Sequence, residues 1–208
     1  MVEKVSDMVN IEENFNYTLN DKFILEDNLD RKIFLNSDID ESTIDTAVYQ
    51  IMRYNAMDIG VPVEERKPIR VYLNSCGGNI VEGYALVDVI ELSKTPVYTI
   101  NLGASMSMAL LIFMAGHKRY AMPRSEFLLH EGTSGGFDSL MKLQDRLRFE
   151  SEQVETITRE LVLSRSKITE DQYAMNLRRE WYFLPKEGKE IGIIDYIVGE
   201  DCELEDIL

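Results

Sequence analysis

The feature that most limits the fold is a strand-turn-helix order repeated in the middle of the chain. Residues 69–75 read IRVYLNS, Gly77 and Gly78 interrupt the run, and NIVEGYALVDVIELS follows at 79–93. Pro96 then opens VYTINLG, which passes into ASMSMALLIFMAG at 104–116. The first part of each repeat has the β-branched and aromatic content of a strand, and the second has helical length and apolar continuity. Upstream, RKIFLNS at 31–37 and DESTIDTAVYQIMRYNAMD at 40–58 keep the same order. There Ile44, Val48, Ile51 and Met52 recur at helical spacing behind the capping-type residues Asp40 and Ser42. Downstream, RYAM and EFLLHEG add two strand-like pieces. Strands separated by helices predict an α/β domain in which helices cover parallel strands.

With 208 residues and 45% hydrophobic side chains, one well-buried core is expected, hence a single domain over residues 21–208. Residues 1–20 are polar, mixed in charge and without period, and read as a flexible N-terminal arm. Residues 137–166 predict one long helix, charged over most of its surface, with Leu140, Leu143, Leu147, Val154, Ile157 and Leu161 as an apolar stripe. Either its own domain or another subunit buries that stripe. The formal net charge of −15 repels phosphate backbones and anionic lipid, which disfavours nucleic-acid and membrane-surface binding. Cys76 and Cys202 have no paired spacing and make no disulfide framework, as suits a reducing compartment. The start MVEKVSDMVNIEEN lacks the apolar core of a signal peptide, and the longest apolar run is short of a membrane span. A soluble cytoplasmic protein is expected.

Chemistry concentrates in three places. Gly77-Gly78 ends a strand and feeds a helix, where bare backbone N–H groups suit a developing negative oxygen, although such a pair also serves simple turns. Ser105 and Ser107 stand at the front of the apolar run NLGASMSMALLIFMAG. Either both bond to nearby backbone as helix caps, or one is held there for chemistry. The G-x-S-x-G elbow of α/β-hydrolases is absent, because Ser107 takes the place of its second glycine. A serine nucleophile needs a base, and the chain has two histidines. His117 lies in the polar turn GHKR and reads as solvated. His130 ends the apolar strand EFLLH before the glycine-rich EGTSGG, where an imidazole would open onto a groove. Spacing alone selects no acid to orient it.

From about Asp30 to Gly199 the chain resembles the ClpP family of ATP-dependent Clp protease proteolytic subunits, serine peptidases of crotonase-like fold. The resemblance is carried by VYLNSCGGNIVEGYALVDVI, by GASMSMALLIFMAGHKRYAMPRSEFLLHEG and by FLPKEGKEIGIIDYIV, in that order. It implies repeated β-β-α units with a protruding oligomerisation helix, residues 137–166. It implies Ser105 as nucleophile, His130 as general base and then acid, and backbone N–H groups of Gly78 and Met106 for the oxyanion, with Gly77 shaping the turn. The third member falls on Glu180, where the family usually has aspartate. Cys76 replaces a common proline and reads as a small buried side chain, and EGTSGG lacks a proline common after the histidine. The resemblance also implies heptameric rings stacked as a tetradecamer, polypeptide substrates, and a hexameric AAA+ unfoldase that spends the ATP. This chain has no G-x-x-x-x-G-K-S/T loop, and no cofactor or metal of its own is expected.

Three other readings compete. Glu180 would suit a weakly active or inactive ring subunit that scaffolds an active paralogue. A crotonase-fold acyl-CoA enzyme would use a similar oxyanion turn with carboxylates in place of a Ser-His pair. A Ser-Lys dyad would draw on Lys118, whose polar turn does not favour a lowered pKa.

Overall fold

The β-type runs pair side by side. Strands β1 (Lys32–Leu35), β2 (Ile69–Ser75), β3 (Val97–Met106), β4 (Lys118–Ala121) and β7 (Tyr196–Ile197) form a parallel sheet in the order β1-β2-β3-β4-β7. This is a computed structural model that describes residues 18–133 and 138–208. Most of the expected arm, residues 1–17, lies outside the described residues, as does the stretch 134–137. Helix α1 (Leu19–Leu29) takes up the last two residues assigned to the arm.

Strand β3 is ten residues long and changes partner along its length. Its first half pairs with β4 from Tyr98 to Asn101, and its second half pairs with β5 (Glu126–Leu129) from Ala104 to Met106. Strand β5 in turn pairs antiparallel with β6 (Trp181–Phe183), a strand that the sequence reading does not foresee. The expected helix at 104–116 therefore starts later. Gly103, Ala104 and Ser105 are small enough to run between β2 and β5 as extended chain, and the helix proper is α4 (Met108–Ala115).

Every residue of α4 is buried, which accounts for its uninterrupted apolar sequence. It packs against β2, β3, α3 (Ile80–Leu92) and the start of the core. Fully burying a Leu, Ile, Phe or Met contributes about 1.5–3 kcal/mol each, so this helix is a large share of the core energy. Asn79 caps α3, its side chain accepting from Val81 N–H at 2.9 Å. Arg165 closes the other end of α4, donating to the carbonyls of Met114 at 3.1 Å and Gly116 at 3.1 Å and also to that of Ala115. The positive guanidinium there complements the negative end of the helix dipole.

Alternation decides which strand residues face these helices. Ile69, Val71 and Leu73 of β2 join the main core with Ile33, Leu35, Val97 and Phe127. On the opposite face Tyr72, Ile100 and Tyr120 form a smaller cluster with Val198 and Ile207 of the C-terminal segment. Aromatic rings extend it, with Phe34 stacked on Tyr72 at 4.8 Å and Tyr120 on Tyr196 at 4.9 Å between centroids.

The helix at 40–58 begins with a π-helical turn, Ile44–Val48, and continues as α2 (Tyr49–Met57). Asp40 opens it by accepting from Ser42 N–H at 2.8 Å. The long charged helix is α5 (Leu140–Phe149) and α6 (Glu155–Ser164), joined by a π-helical turn at Glu150–Val154. Its stripe is buried at one end. Leu161 lies in the main core, whereas Leu140, Leu147 and Ile157 are at least half exposed. After α6 come α7 (Glu170–Asn176), the edge strand β6 and α8 (Pro185–Glu190), started by proline at its first position.

Candidate active site

Between the last residue of β3 and the first of α4 stands a single residue, Ser107, with φ 52° and ψ −125°. A side chain other than glycine rarely takes positive φ, and holding one there costs about 1–3 kcal/mol. The surroundings impose it. Ser107 N–H donates to Leu128 O on β5 at 3.0 Å, while Ser107 O accepts from Leu110 N–H at 3.0 Å. The chain thus turns from sheet into helix in one step. Next in sequence, Met108 occupies the first turn of α4, where backbone N–H groups have no partner within the helix.

The Gly77-Gly78 turn packs directly on this junction. A Cβ on Gly77 would stand 2.8 Å from Met106 O and from Ser107 Cβ and 3.2 Å from Met108 N, and one on Gly78 would run into the backbone of Ile39. Both glycines have positive φ, 106° and 147°, so neither position accepts a side chain. Gly77 N–H donates to Ser75 Oγ at 3.2 Å. Ile39 bonds the groups on either side of Gly78, accepting from Asn79 N–H at 2.7 Å and donating to Gly77 O at 2.8 Å. In such a parallel pairing the intervening residue turns its own N–H away from Ile39. Met108 N–H follows Ser107 directly in the first turn of α4, and the Gly77-Gly78 turn packs against the same junction.

His130 follows the last residue of β5, and its Nδ1 lies 3.0 Å from Glu180 Oε1. Registered pairs Phe127 with Phe183, Leu128 with Tyr182 and Leu129 with Trp181, extended by one step, set His130 opposite Glu180. The antiparallel ribbon thus makes the acid and the imidazole cross-strand neighbours. The bond at Nδ1 leaves Nε2 for proton transfer. The carbonyl that holds Ser107, Leu128 O, belongs to the strand that delivers His130, so the serine junction and the imidazole share one strand end.

Several expectations change. Ser105 is not at the helix start. It is a strand residue registered between Ser75 and Phe127, fully buried, and its hydroxyl has no hydrogen-bond partner. No peptide can approach it there, and the residue presented at the junction is Ser107. Met106 is the last residue of β3, paired with Leu128, and the residue that follows Ser107 into the helix is Met108. Gly77 keeps its turn-shaping place, with its N–H already engaged. His130 and Glu180 are brought into contact, and Gly78 lies in the turn that packs on the Ser107 junction. Cys76 is exposed, not buried. His117 is tied to the sheet, its Nδ1 accepting from Val97 N–H at 2.9 Å; partial desolvation and the nearby Arg165 lower its pKa. Lys118 lies over the Tyr98 ring at 5.1 Å, beside the beginning of β3 and away from Ser107, which follows its end. The sequence did carry a signal for Ser107: it is the last polar residue before eight unbroken apolar ones.

Comparison with known proteins agrees with this architecture. The family model described as Clp protease matches residues 20–201. An ATP-dependent Clp protease proteolytic subunit 2 of Treponema pallidum is 28% identical over 84% of this chain and 85% of its own length. The corresponding subunit of Deinococcus radiodurans is 28% identical over 84% of this chain and 83% of its own. The chloroplastic proteolytic subunit 3 of Arabidopsis thaliana is 30% identical over 82% of this chain and 53% of its own. In fold, a ClpP1 mutant from Listeria monocytogenes superposes with TM-score 0.74 over 89% of this chain and 99% of its own, at 18% identity. A parallel sheet with a glycine turn, a serine junction and a histidine-carboxylate ribbon, matched across nearly its whole length, makes this chain a member of the Clp protease family.

Proposed function

We propose that this chain is a proteolytic subunit of an ATP-dependent Clp protease and cleaves peptide bonds as a serine peptidase, with Ser107 as nucleophile. The observation that carries this reading is the strained Ser107 junction, packed against the Gly77-Gly78 turn and held by the strand that delivers His130. Strain of this kind persists where the surrounding structure enforces it, and it often marks reacting residues.

In the reaction, His130 Nε2 takes the proton from Ser107 Oγ as the oxygen attacks the substrate carbonyl carbon. The carbonyl oxygen becomes an oxyanion between the Gly78 and Met108 N–H groups. Glu180 holds the imidazole in the tautomer with Nδ1 protonated and stabilises the imidazolium. Collapse breaks the C–N bond, the imidazolium gives its proton to the departing amine, and water repeats the sequence to release the acid and restore Ser107. Substrate would bind extended along the strand ends beside Gly78 and His130.

The family supports an oligomer fed by an ATPase partner, and heptameric rings stacked in pairs are the arrangement proposed here. The exposed apolar residues Leu140, Leu147, Phe149 and Ile157 on α5 and α6 give such a contact its surface. ATP would be spent by the partner. A serine-directed fluorophosphonate probe tests the chemistry: it should label Ser107, fail with Ser107→Ala, and still label Ser105→Ala. Labelling that depends on Ser105, or no labelling of an assembled ring, would overturn the proposal.

A further inference from the structure

Glu180 is long and its side chain is 58% exposed, so packing does not fix its carboxylate. His130 engages one oxygen, Oε1. An orienting acid must nevertheless hold the imidazole in one pose, and an exposed glutamate with a single contact samples several rotamers. Something else has to anchor it.

The neighbours of Glu180 on β6 differ by face. Phe183 stacks on Phe127 in the core at 5.3 Å, and Trp181 packs edge-on against Phe183 at 6.1 Å while its Nε1 donates to Glu187 at 3.0 Å. Period two along the strand puts Tyr182 on the other face, with Glu180. The backbone brings them closer still. Tyr182 N–H donates to Glu180 O at 3.2 Å, a three-residue turn that shortens the distance between the two Cα positions. Across the ribbon, Tyr182 is registered with Leu128 and Glu180 faces His130, so the tyrosine, the acid and the imidazole spring from adjacent positions on one face of the ribbon. Tyr182 is 57% exposed and takes no part in the core.

We propose that Tyr182 is a positioning residue of this site, its phenol donating a hydrogen bond to the Glu180 carboxylate so that Oε1 stays on His130 Nδ1. The proposal rests on the serine-peptidase reading above. The tyrosine pKa is raised, first by desolvation, then by the Glu180 charge and by hydrogen bonding to Glu180, so the phenol remains a donor across the working pH range. A longer carboxylate thereby gains a second fixed point, which lets glutamate serve where aspartate is usual.

The test is a double-mutant cycle on the assembled full chain, read by the second-order rate of acylation with a fluorophosphonate and by kcat and KM on a model peptide. Tyr182→Phe should slow acylation and lower kcat roughly three- to tenfold, the span of one ordinary net hydrogen bond, with KM unchanged. In the Glu180→Ala background the same change should have no effect, because the group it positions is gone. Equal loss in both backgrounds, or a Tyr182→Phe rate equal to wild type, would overturn the role of Tyr182 and leave the peptidase reading standing. A wild-type chain that is not labelled at Ser107 would overturn that reading, and the role of Tyr182 with it.

Discussion

His130 and Glu180 face each other one step beyond the last registered pair of β5 and β6, with Nδ1 and Oε1 3.0 Å apart. The contact forms despite the extra methylene of glutamate, because the β5–β6 register sets the spacing. Glu180→Ala should lower kcat for a model peptide by about 10²- to 10⁴-fold with little change in KM, as expected when a base loses its orienting acid. Steady-state kinetics on the assembled oligomer checks this, and a rate within twofold of wild type would contradict it.

Ser105 and Ser107 should separate cleanly. Ser107→Ala should abolish acylation. Ser105→Ala should retain it and stabilise the fold by about 1 kcal/mol or slightly more, since it deletes a buried hydroxyl that has no partner. A thermal melt should show Tm a few degrees higher, on the scale for a domain of this size.

Much of the fold was legible in the sequence, and the reason it failed at the serine is physical. The Gly77-Gly78 turn, helix α3, strand β5 and the placement of His130 follow from apolar period and turn residues. The boundary between β3 and α4 does not, because Gly103, Ala104 and Ser105 are too small to declare strand or helix; long-range pairing with Ser75 and Phe127 decides it. The sign of φ at Ser107 is likewise a tertiary matter, fixed by Leu128 O. Strand β6 is only three residues long, and its identity depends on β5. Glu180 was reached by the resemblance, since spacing offered no way to choose among 37 acidic residues.

Gly78→Ala should both destabilise and silence the enzyme. The added methyl meets the Ile39 backbone and demands a positive φ, a strain of about 2–4 kcal/mol in a packed turn. Relief requires moving the segment that carries the Gly78 N–H, so residual folded protein should acylate at least tenfold more slowly, one oxyanion donor being worth about 10²–10³ in rate. Calorimetry and probe labelling on the same sample would show both losses.

Stability should also depend on pH through His117. Its folded pKa is lowered below the ordinary 6.5 by desolvation and by Arg165, and as the neutral ring its Nδ1 accepts the Val97 N–H. Unfolding therefore takes up a proton in the window between the lowered value and 6.5, so the contribution is complete above pH 6.5 and is lost as pH falls through the folded pKa. Denaturant melts between pH 8 and pH 5 should show wild type losing stability more steeply than His117→Gln on the acid side. Parallel curves would rule out this histidine as the cause.

The exchange of partners along β3 has a mechanical consequence. Ser107 is rooted in the strand common to both halves of the sheet, whereas the imidazole and its carboxylate ride together on the short ribbon of β5 and β6. Slippage of β5 against β3, which must also break the Ser107 N–H bond to Leu128 O, would part the alcohol from an intact acid-base couple before it splits the couple itself. An idle form of this enzyme should accordingly keep its His-Glu bond while the hydroxyl loses its acceptor, so that switching on needs one realignment rather than two.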